Sequence, residues 1–323
     1  MGSALIAPES RAYREPPLGG AANTSAHWRS RPLLGFGTTL SLTVGADTVA
    51  KAELALDLAV ADIRHIEQQM SLFRANSAVC QLNASGLLRN PDPMLVRVLR
   101  LAQAVSQQSQ GAFDITVQPL WLLYAQAQRE DRLPWAAALL AARDKVDWQQ
   151  VEVRDDRVRL KRPGMAITLN GIAQGFAADV IKARWQAMGI EHALINTGEW
   201  STLGQAQDGA GWRLGVANPR DADGIIRRIA ASGRSVATSA DSQTFFTADF
   251  QYHHIFDPHT GASPADVSSV TVVADSCALA DALTKVMFVA GKAKALDLAK
   301  TWGVEVLLVD KAGAWVASPG LMA

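Results

Sequence analysis

Two adjacent histidines ahead of an Asp-Pro turn are the clearest candidates for acid–base chemistry in this sequence. His253 and His254 stand shortly before Asp257-Pro258. Histidine has the ordinary pKa nearest to neutral pH, so it serves both as a proton acceptor and as a metal ligand. A strand is predicted over residues 253–256, and neighbours along a strand face opposite sides, so only one ring would reach a site. A structural role for the pair is the more common alternative.

Three polar residues share one face of an otherwise apolar segment nearer the C-terminus. Asp281, Thr284 and Lys285 are spaced i, i+3 and i+4 in a helix predicted over residues 277–290 and ended by Gly291. Their neighbours are largely Leu, Val, Met and Phe, which leaves little room for a wide solvent-facing stripe. Two interpretations remain open, a solvated Asp–Lys pair and a polar group that serves a site.

A glycine-containing turn is predicted to connect a short strand at residues 166–169 to a helix over residues 172–188. The turn contains Asn170-Gly171, and Gly175 follows in the first turn of the helix. Glycine lets the backbone approach a ligand closely, and a helix N-terminus favours phosphate groups. A tight turn that merely packs on its neighbour is an equal alternative.

Three further segments are weaker signals when each is taken alone. Residues 111–120 place Asp114 and Thr116 before a proline, which is typical of a capped turn. Residues 193–199 end a predicted strand in a polar turn, and residues 236–241 contain Thr238 and Ser239. None of these segments specifies a function by itself.

The composition limits the class of protein. Of 323 residues, 49% are apolar and 19% are charged, with a formal net charge of zero. This composition supports a hydrophobic core and gives no electrostatic indication of nucleic-acid binding. No run approaches the roughly 18 apolar residues that span a bilayer, and there is no Rossmann fingerprint or P-loop. Cys80 and Cys277 lie in no metal or redox motif, and whether they pair is open.

Helices and strands mix without regular alternation, which predicts an α+β fold of layered mixed sheets and helices. Residues 1–32 predict a flexible leader without a legible signal peptide. Residues 33–323 then form one domain, with two intimate subdomains as the alternative. Further predicted elements are a strand at 40–44, a helix from an Asp47 cap to Met70, a helix starting at Asp92-Pro93, a hairpin at 151–160, and strands at 193–196, 212–216, 225–230, 269–273, 304–309 and 314–317.

In this order and at these spacings, five segments resemble the ApbE-type FAD:protein FMN transferases. They are residues 111–120, 169–179, 193–199, 236–241 followed by 252–261, and 276–288, here called the five site segments. The resemblance runs from about Leu33 to Phe288 and includes residues 70–77. Residues 170–175 are similar to the branch associated with nitrous oxide reductase maturation. The resemblance implies an ApbE-like fold with FAD in a cleft between layers and no Rossmann motif.

The resemblance also implies an activity and a set of site residues. FMN would pass from FAD to a Thr or Ser hydroxyl of an acceptor flavoprotein, forming a phosphoester and releasing AMP. His254 would help to deprotonate that hydroxyl, and Asp281 with the Ala173 carbonyl would hold Mg²⁺. The FAD contacts that the resemblance implies are Phe36, Phe73, Ala112, Phe113, Asp114, Asn170, Phe176, Thr238, Ser239 and Ile255.

The chain departs from the family pattern at the residues that would hold the metal ion. The family's remaining ligand is a threonine four residues after the aspartate, where this chain has Lys285, while Thr284 stands one residue too early. An ammonium donates hydrogen bonds and accepts none, so protonated Lys285 cannot ligate Mg²⁺. Lesser departures are Thr168, where most of the family has Asp, and Phe36, where a Met is usual.

Three alternatives follow from this departure. Lys285 takes the place of the metal and contacts the FAD pyrophosphate, or Thr284 serves as ligand after a small shift of the helix, or metal binding is lost and the protein only binds FAD. A FAD pyrophosphatase, with water in place of the acceptor hydroxyl, is a further alternative activity. By resemblance alone, the expected location is the periplasm and the expected acceptor is a subunit of a membrane-linked electron-transfer complex, with no nucleic acid and no transmembrane segment involved.

Overall fold

The protein is described by a computed structural model over residues 26–322, and most of the predicted leader lies outside these residues. Strand β1 (His27–Gly35) pairs antiparallel with β2 (Thr38–Ala46). Ordered structure therefore begins before Leu33, where the sequence predicted it. The sequence did not predict the first part of this strand, because polar residues stand where apolar ones would mark a buried strand. These polar residues face a helix, where Arg31 contacts Glu53 and Asp57 at 2.7 and 2.5 Å.

Strands form one large sheet and two small ones. The later strands are β3 (Leu87–Arg89), β4 (Val151–Val153), β5 (Arg157–Leu160), β6 (His192–Asn196), β7 (Trp200–Leu203), β8 (Arg213–Asn218), β9 (Asp221–Ala230), β10 (Ser235–Ala240), β11 (Val267–Ala274), β12 (Glu305–Asp310) and β13 (Trp315–Ala317). The large sheet has the order β1-β2-β6-β7-β10-β11-β12-β13, and β3-β5-β4 and β8-β9 are separate. Every pairing is antiparallel.

The helices cover the large sheet and the small three-stranded sheet. They are α1 (Val49–Met70), α2 (Ala78–Ser85), α3 (Pro93–Gln108), α4 (Gln118–Arg129), α5 (Ala136–Arg143), α6 (Ala173–Ala187) and α7 (Cys277–Trp302). As predicted, the Asp92 carboxylate caps α3, accepting from the Met94 N–H at 2.7 Å. The cap of α1 is Thr48, because Asp47 instead pairs with the side chain of Lys51. Among the described residues, no helix is both long and apolar enough to cross a membrane.

The core lies between the large sheet and helices α1, α6 and α7. Strand β11 is buried at every position, so it is covered on both faces. Trp185 of α6 is fully buried, and its indole N–H donates to the Ala55 carbonyl of α1 at 2.9 Å. The mixed helices and antiparallel sheets are the α+β architecture that the sequence predicted.

Two predicted strands do not form. Residues 166–169 run as an irregular segment, where the Asn83 amide bonds the Ile167 backbone N–H at 2.7 Å and its carbonyl at 2.9 Å. A side chain therefore supplies the pairing that a neighbouring strand would give. Residues 253–256 hold only an isolated bridge between His253 and Phe245.

Helix α7 is longer than predicted. Gly291 is non-helical, with φ 70° and ψ 173°, but helical structure resumes beyond it and reaches Trp302. Glycine adopts positive φ without a steric penalty, so the chain can bend there instead of stopping. The second part of α7 buries Ala295 and Ala299, and this burial explains why the helix resumes.

Candidate functional site

Four of the five site segments are joined to one another by hydrogen bonds, and Thr168, directly before the second segment, bonds Ile115 of residues 111–120. The bonds are Thr168 N–H to Ile115 O (2.8 Å), Thr197 Oγ1 to Gln174 O (2.8 Å), Thr238 N–H to Glu199 Oε2 (2.9 Å), Ser239 Oγ with Thr284 Oγ1 (2.7 Å) and Gly175 N–H to Asp281 Oδ2 (3.3 Å). The segments span residues that are far apart in the chain, so these bonds build a single locality. The sequence order alone could not show that contact.

Helices α6 and α7 meet at their N-termini through a glycine. A Cβ atom placed on Gly175 would lie 2.3 Å from the Cys277 carbonyl oxygen and 2.8 Å from the Ala278 Cα. Only glycine allows this approach without a shift of backbone. Ser276 is the N-cap of α7, and Asp179 of α6 adds to it, because its carboxylate accepts from the Cys277 and Ala278 N–H groups at 2.7 and 3.0 Å.

The Asp281–Lys285 pair is almost enclosed. The Lys285 ammonium lies 2.5 Å from Asp281 Oδ1 and 3.1 Å from the Asp281 carbonyl oxygen. The side chains are 2% exposed for Asp281 and 19% exposed for Lys285. The interpretation as a solvated surface pair is therefore wrong, and the pair belongs to the interior of the site.

Glu199 is a third charged residue at this point, and sequence reasoning missed it. It follows the β6 strand, is buried, and accepts a hydrogen bond from the Thr238 N–H. Burial and the neighbouring Asp281 carboxylate raise the pKa of Glu199 well above its usual value, and Lys285 opposes that rise only in part. The sequence feature that could have pointed to Glu199 is a carboxylate in the short turn after a strand with apolar residues.

His254 is hydrogen-bonded to the backbone through one ring nitrogen. Its Nδ1 lies 2.9 Å from the Thr244 carbonyl oxygen, and a carbonyl only accepts, so Nδ1 carries the proton and Nε2 is free to accept one. Burial and the Lys285 charge lower the pKa of His254 to about 4. His254 is therefore a neutral imidazole at neutral pH, which is the form that a general base requires.

His253 is a structural residue. It is fully buried, its Nε2 lies 3.2 Å from the Pro264 carbonyl oxygen, and its ring packs 5.4 Å from that of Phe288. The two histidines thus have different environments, as the sequence predicted, although no regular strand separates them. Burial lowers the pKa of His253 to about 4.

The buried neutral state of His253 predicts a pH dependence of stability. The unfolded chain binds a proton on this ring below about pH 6.5 and the folded protein only below about pH 4, so the folded state loses stability as pH falls between these values. Relative to His253→Gln, the wild type is expected to lose about 1.4 kcal/mol between pH 7.5 and 5.5. Urea unfolding of both proteins at the two pH values measures this, and an equal change in both would contradict it.

The predicted FAD contacts differ in accessibility. Phe73 is 78% exposed on the surface and Asn170 is exposed. Phe36 sits at the tip of the β1–β2 hairpin with φ 51°, and its N–H donates to Glu67 Oε1 at 2.9 Å. Phe176 is 2% exposed with the Arg97 guanidinium over its ring, so it offers a ligand almost no surface. Ile255 is also buried, at 3% exposure.

The segment with Ala112, Phe113 and Asp114 contains the capped turn that the sequence favoured. The Asp114 carboxylate accepts three hydrogen bonds. Two come from Thr116, from its N–H at 2.7 Å and its hydroxyl at 2.6 Å, and the third comes from the Trp148 N–H at 3.0 Å. Burial nevertheless raises the pKa of Asp114 to about 6. Its oxygens are committed to the turn, and flavin contact by this segment stays a prediction.

The donor set implied for Mg²⁺ does not fit a divalent ion in this arrangement. Asp281 Oδ1 is held by Lys285 and Oδ2 by Gly175 N–H, while the Thr284 hydroxyl bonds the Asp281 carbonyl and Ser239 Oγ, both at 2.7 Å. Ala173, the remaining implied ligand, opens helix α6. Across residues 26–322, no group of three or more His, Cys, Asp or Glu side chains is arranged to hold a metal. Both cysteines are free thiols.

The model of the ApbE family matches residues 36–308. An FAD:protein FMN transferase of Klebsiella pneumoniae (strain 342) is 31% identical over 243 residues, covering 72% of this chain and 74% of that protein. An FAD:protein FMN transferase of Vibrio cholerae is 28% identical over 260 residues, covering 77% of each chain.

Solved structures share the architecture. The apo flavinyl transferase ApbE of Pseudomonas stutzeri aligns with a TM-score of 0.80 at 26% identity, covering 91% of this chain and 96% of that one. The ApbE protein of Thermotoga maritima aligns with a TM-score of 0.82 at 27% identity, covering 91% and 97%. These alignments confirm the predicted α+β fold, with its layered sheets and helices.

Proposed function

We propose, from the premise that this chain belongs to the ApbE family, that it is a flavin transferase that moves FMN from FAD to a Thr or Ser hydroxyl of an acceptor flavoprotein. Relatives of this chain carry the name FAD:protein FMN transferase, and the neighbouring folds are ApbE flavin transferases. FAD is a substrate in this proposal, since it is consumed and AMP is released.

The observation that carries the proposal is the neutral His254 ring, whose Nε2 carries no proton, within electrostatic reach of the Lys285 ammonium. The hydrogen bond from Nδ1 to the Thr244 carbonyl fixes the tautomer, and Lys285 is near enough to lower the pKa of the ring. A proton acceptor and a cation are therefore close enough to interact electrostatically. Phosphoryl transfer needs this pairing, because its transition state is stabilised by positioning and by neutralising charge on the phosphate oxygens.

The chemistry assigns His254 to the acceptor hydroxyl. The hydroxyl oxygen bonds to the phosphorus on the riboflavin side of the pyrophosphate as its proton passes to Nε2. The bond from that phosphorus to the bridging oxygen breaks, and AMP leaves with that oxygen. General base assistance of this kind contributes about 10²–10⁴ in rate. No step is assigned to a metal, because the donor set does not fit one.

The acceptor and the location are finer proposals that rest on the resemblance described above. The acceptor is a subunit of a membrane-linked electron-transfer complex, and the site of action is the periplasm. The similarity of residues 170–175 to the branch associated with nitrous oxide reductase maturation supports an acceptor from that system.

The proposal is tested by measuring covalent attachment of FMN to the acceptor by mass spectrometry of the intact protein. Purified protein is incubated with FAD and a threonine-bearing acceptor subunit, and the same acceptor with that Thr changed to Ala is the control. We expect FMN on the native acceptor only, with one AMP released for each FMN attached. FMN and AMP formed at the same rate without acceptor would indicate a pyrophosphatase instead. FAD that binds but stays intact across a panel of acceptors would indicate a binding protein.

A further inference from the structure

Lys285 lies across the glycine turn that leads into helix α6. A Cβ atom placed on Gly171 would be 3.0 Å from Lys285 Cε and 3.6 Å from Nζ. The stem of the lysine therefore covers the turn at Gly171, and its ammonium stands beside that residue, two positions before helix α6 begins at Ala173. Sequence spacing on α7 could not have shown this contact with α6.

This location is electrostatically unusual for a lysine. A helix N-terminus carries roughly half a positive charge and favours anions, so a cation beside it is normally unfavourable. Asp281 offsets part of this cost, since its two oxygens bond the ammonium at 2.5 Å and the Gly175 N–H at 3.3 Å. The Asp281 carboxylate faces both positive groups, while the raised pKa of Glu199 favours its neutral form, so Glu199 does not compete for the ammonium.

The same contacts argue against a divalent ion at this point. Mg²⁺ takes oxygen ligands in near-octahedral geometry, whereas here the Asp281 carboxylate is already committed and the Thr284 hydroxyl is hydrogen-bonded to Ser239 at 2.7 Å. A doubly charged ion would also stand next to an enclosed ammonium. The ammonium and the ion would repel each other strongly in a site of low dielectric constant.

We propose that the Lys285 ammonium is the resident cation of this site and directly contacts the pyrophosphate of FAD, in place of a divalent metal ion. The proposal rests on the function proposed above for the identity of the ligand. Lys285 neutralises charge on the phosphate oxygens as the bond to the bridging oxygen breaks, while the hydroxyl proton goes to His254. Transfer then proceeds without added metal.

The experiment measures binding and transfer separately. FAD and riboflavin are titrated into the native protein, Lys285→Met and Lys292→Met, each in EDTA and in Mg²⁺. Lys292→Met is the matched control, because it removes the same charge from the same helix at a partly exposed residue that pairs with Asp310 at 2.8 Å. Riboflavin lacks the pyrophosphate, so its binding reports whether each variant is folded.

We expect native protein to bind FAD equally in EDTA and Mg²⁺, and Lys285→Met to lose about tenfold or more in FAD affinity with riboflavin affinity unchanged. Covalent transfer is expected to persist in EDTA for native protein and to be lost in Lys285→Met. In Lys285→Thr, Mg²⁺ is expected to strengthen FAD binding, because the carboxylate of Asp281 is released.

Three results would overturn the proposal. They are native FAD affinity that is abolished by EDTA and restored by Mg²⁺, equal FAD affinity in Lys285→Met and Lys292→Met, and no gain of Mg²⁺ dependence in Lys285→Thr. Failure of the proposed function looks different, since transfer would then be absent from the native protein while the FAD affinities still separated the two methionine variants.

Discussion

Replacing His254 with glutamine is expected to slow covalent FMN transfer by a factor of about 10²–10⁴, the usual contribution of a general base. FAD affinity is expected to change little, because the ring acts on the acceptor hydroxyl and not on the flavin. The physical reason is the free Nε2, which the Nδ1 bond to the Thr244 carbonyl exposes. Single-turnover transfer with saturating FAD measures the effect directly.

The pH profile provides a second test of His254. The pKa of His254 is about 4 in the free protein, so the neutral base persists above that value and is lost as pH falls through it. We expect kcat/KM, which reports the free enzyme, to hold down to about pH 5 instead of falling near 6.5. His65→Gln is the control, because His65 pairs with Asp92 at an exposed position. Equal transfer rates in the two glutamine variants would exclude His254 as the base.

Changing Gly175 to alanine is expected to destabilise the protein by about 3 kcal/mol, as overpacking against fixed backbone does. The new Cβ would lie 2.3 Å from the Cys277 carbonyl oxygen and 2.6 Å from its carbon, so helices α6 and α7 must move apart. That movement breaks the Gly175 N–H bond to Asp281 and removes the support of Lys285. FAD affinity should fall together with stability.

The sign of the stability change in Gly175→Ala distinguishes two causes. Close packing predicts destabilisation, whereas helix propensity alone predicts that alanine stabilises the helix. Alanine in a helix interior is favoured over glycine by about 1 kcal/mol. Urea unfolding of Gly175→Ala beside Gln186→Ala, an exposed position on the same helix, separates the two causes. A Gly175→Ala protein as stable as the wild type would show that the helices tolerate a wider spacing.

Local sequence signals predicted the elements whose cause is local. The Asp92-Pro93 start of α3 depends on one side chain and one ring, and both are visible in the sequence. The apolar face of α1 follows from helical spacing, and the helix reaches Met70 as predicted. The order of the five site segments also identified the resemblance to the family, because order and spacing can be read from the sequence.

Elements with a distant cause could not be predicted from the sequence. Strand β1 contains Arg29 and Arg31 where a buried alternation would have apolar residues, and these side chains find acidic partners on α1. Residues 166–169 look like a strand, but the Asn83 amide pairs their backbone from 84 residues away. Both cases depend on contacts that the local pattern does not contain.

The candidate site shows the same division between local and distant causes. The i, i+4 spacing of Asp281 and Lys285 predicted their contact, while their burial and the position of Lys285 over Gly171 depend on how α6 packs on α7. Glu199 was missed because its importance comes from Asp281 and Lys285, which are distant in the chain. Charge balance inside a site is a property of the assembled fold.

The junction of α6 and α7 also determines at which stage of protein synthesis the site can form. The bonds from Asp179 to Cys277 and from Gly175 to Asp281 join residues 98 and 106 positions apart. Contacts of this sequence separation form late, because a long loop must close before they contribute. A nascent chain that ends before residue 277 lacks helix α7, and with it Asp281 and Lys285. Both members of the Asp281–Lys285 pair are therefore among the last parts of the site to be synthesised.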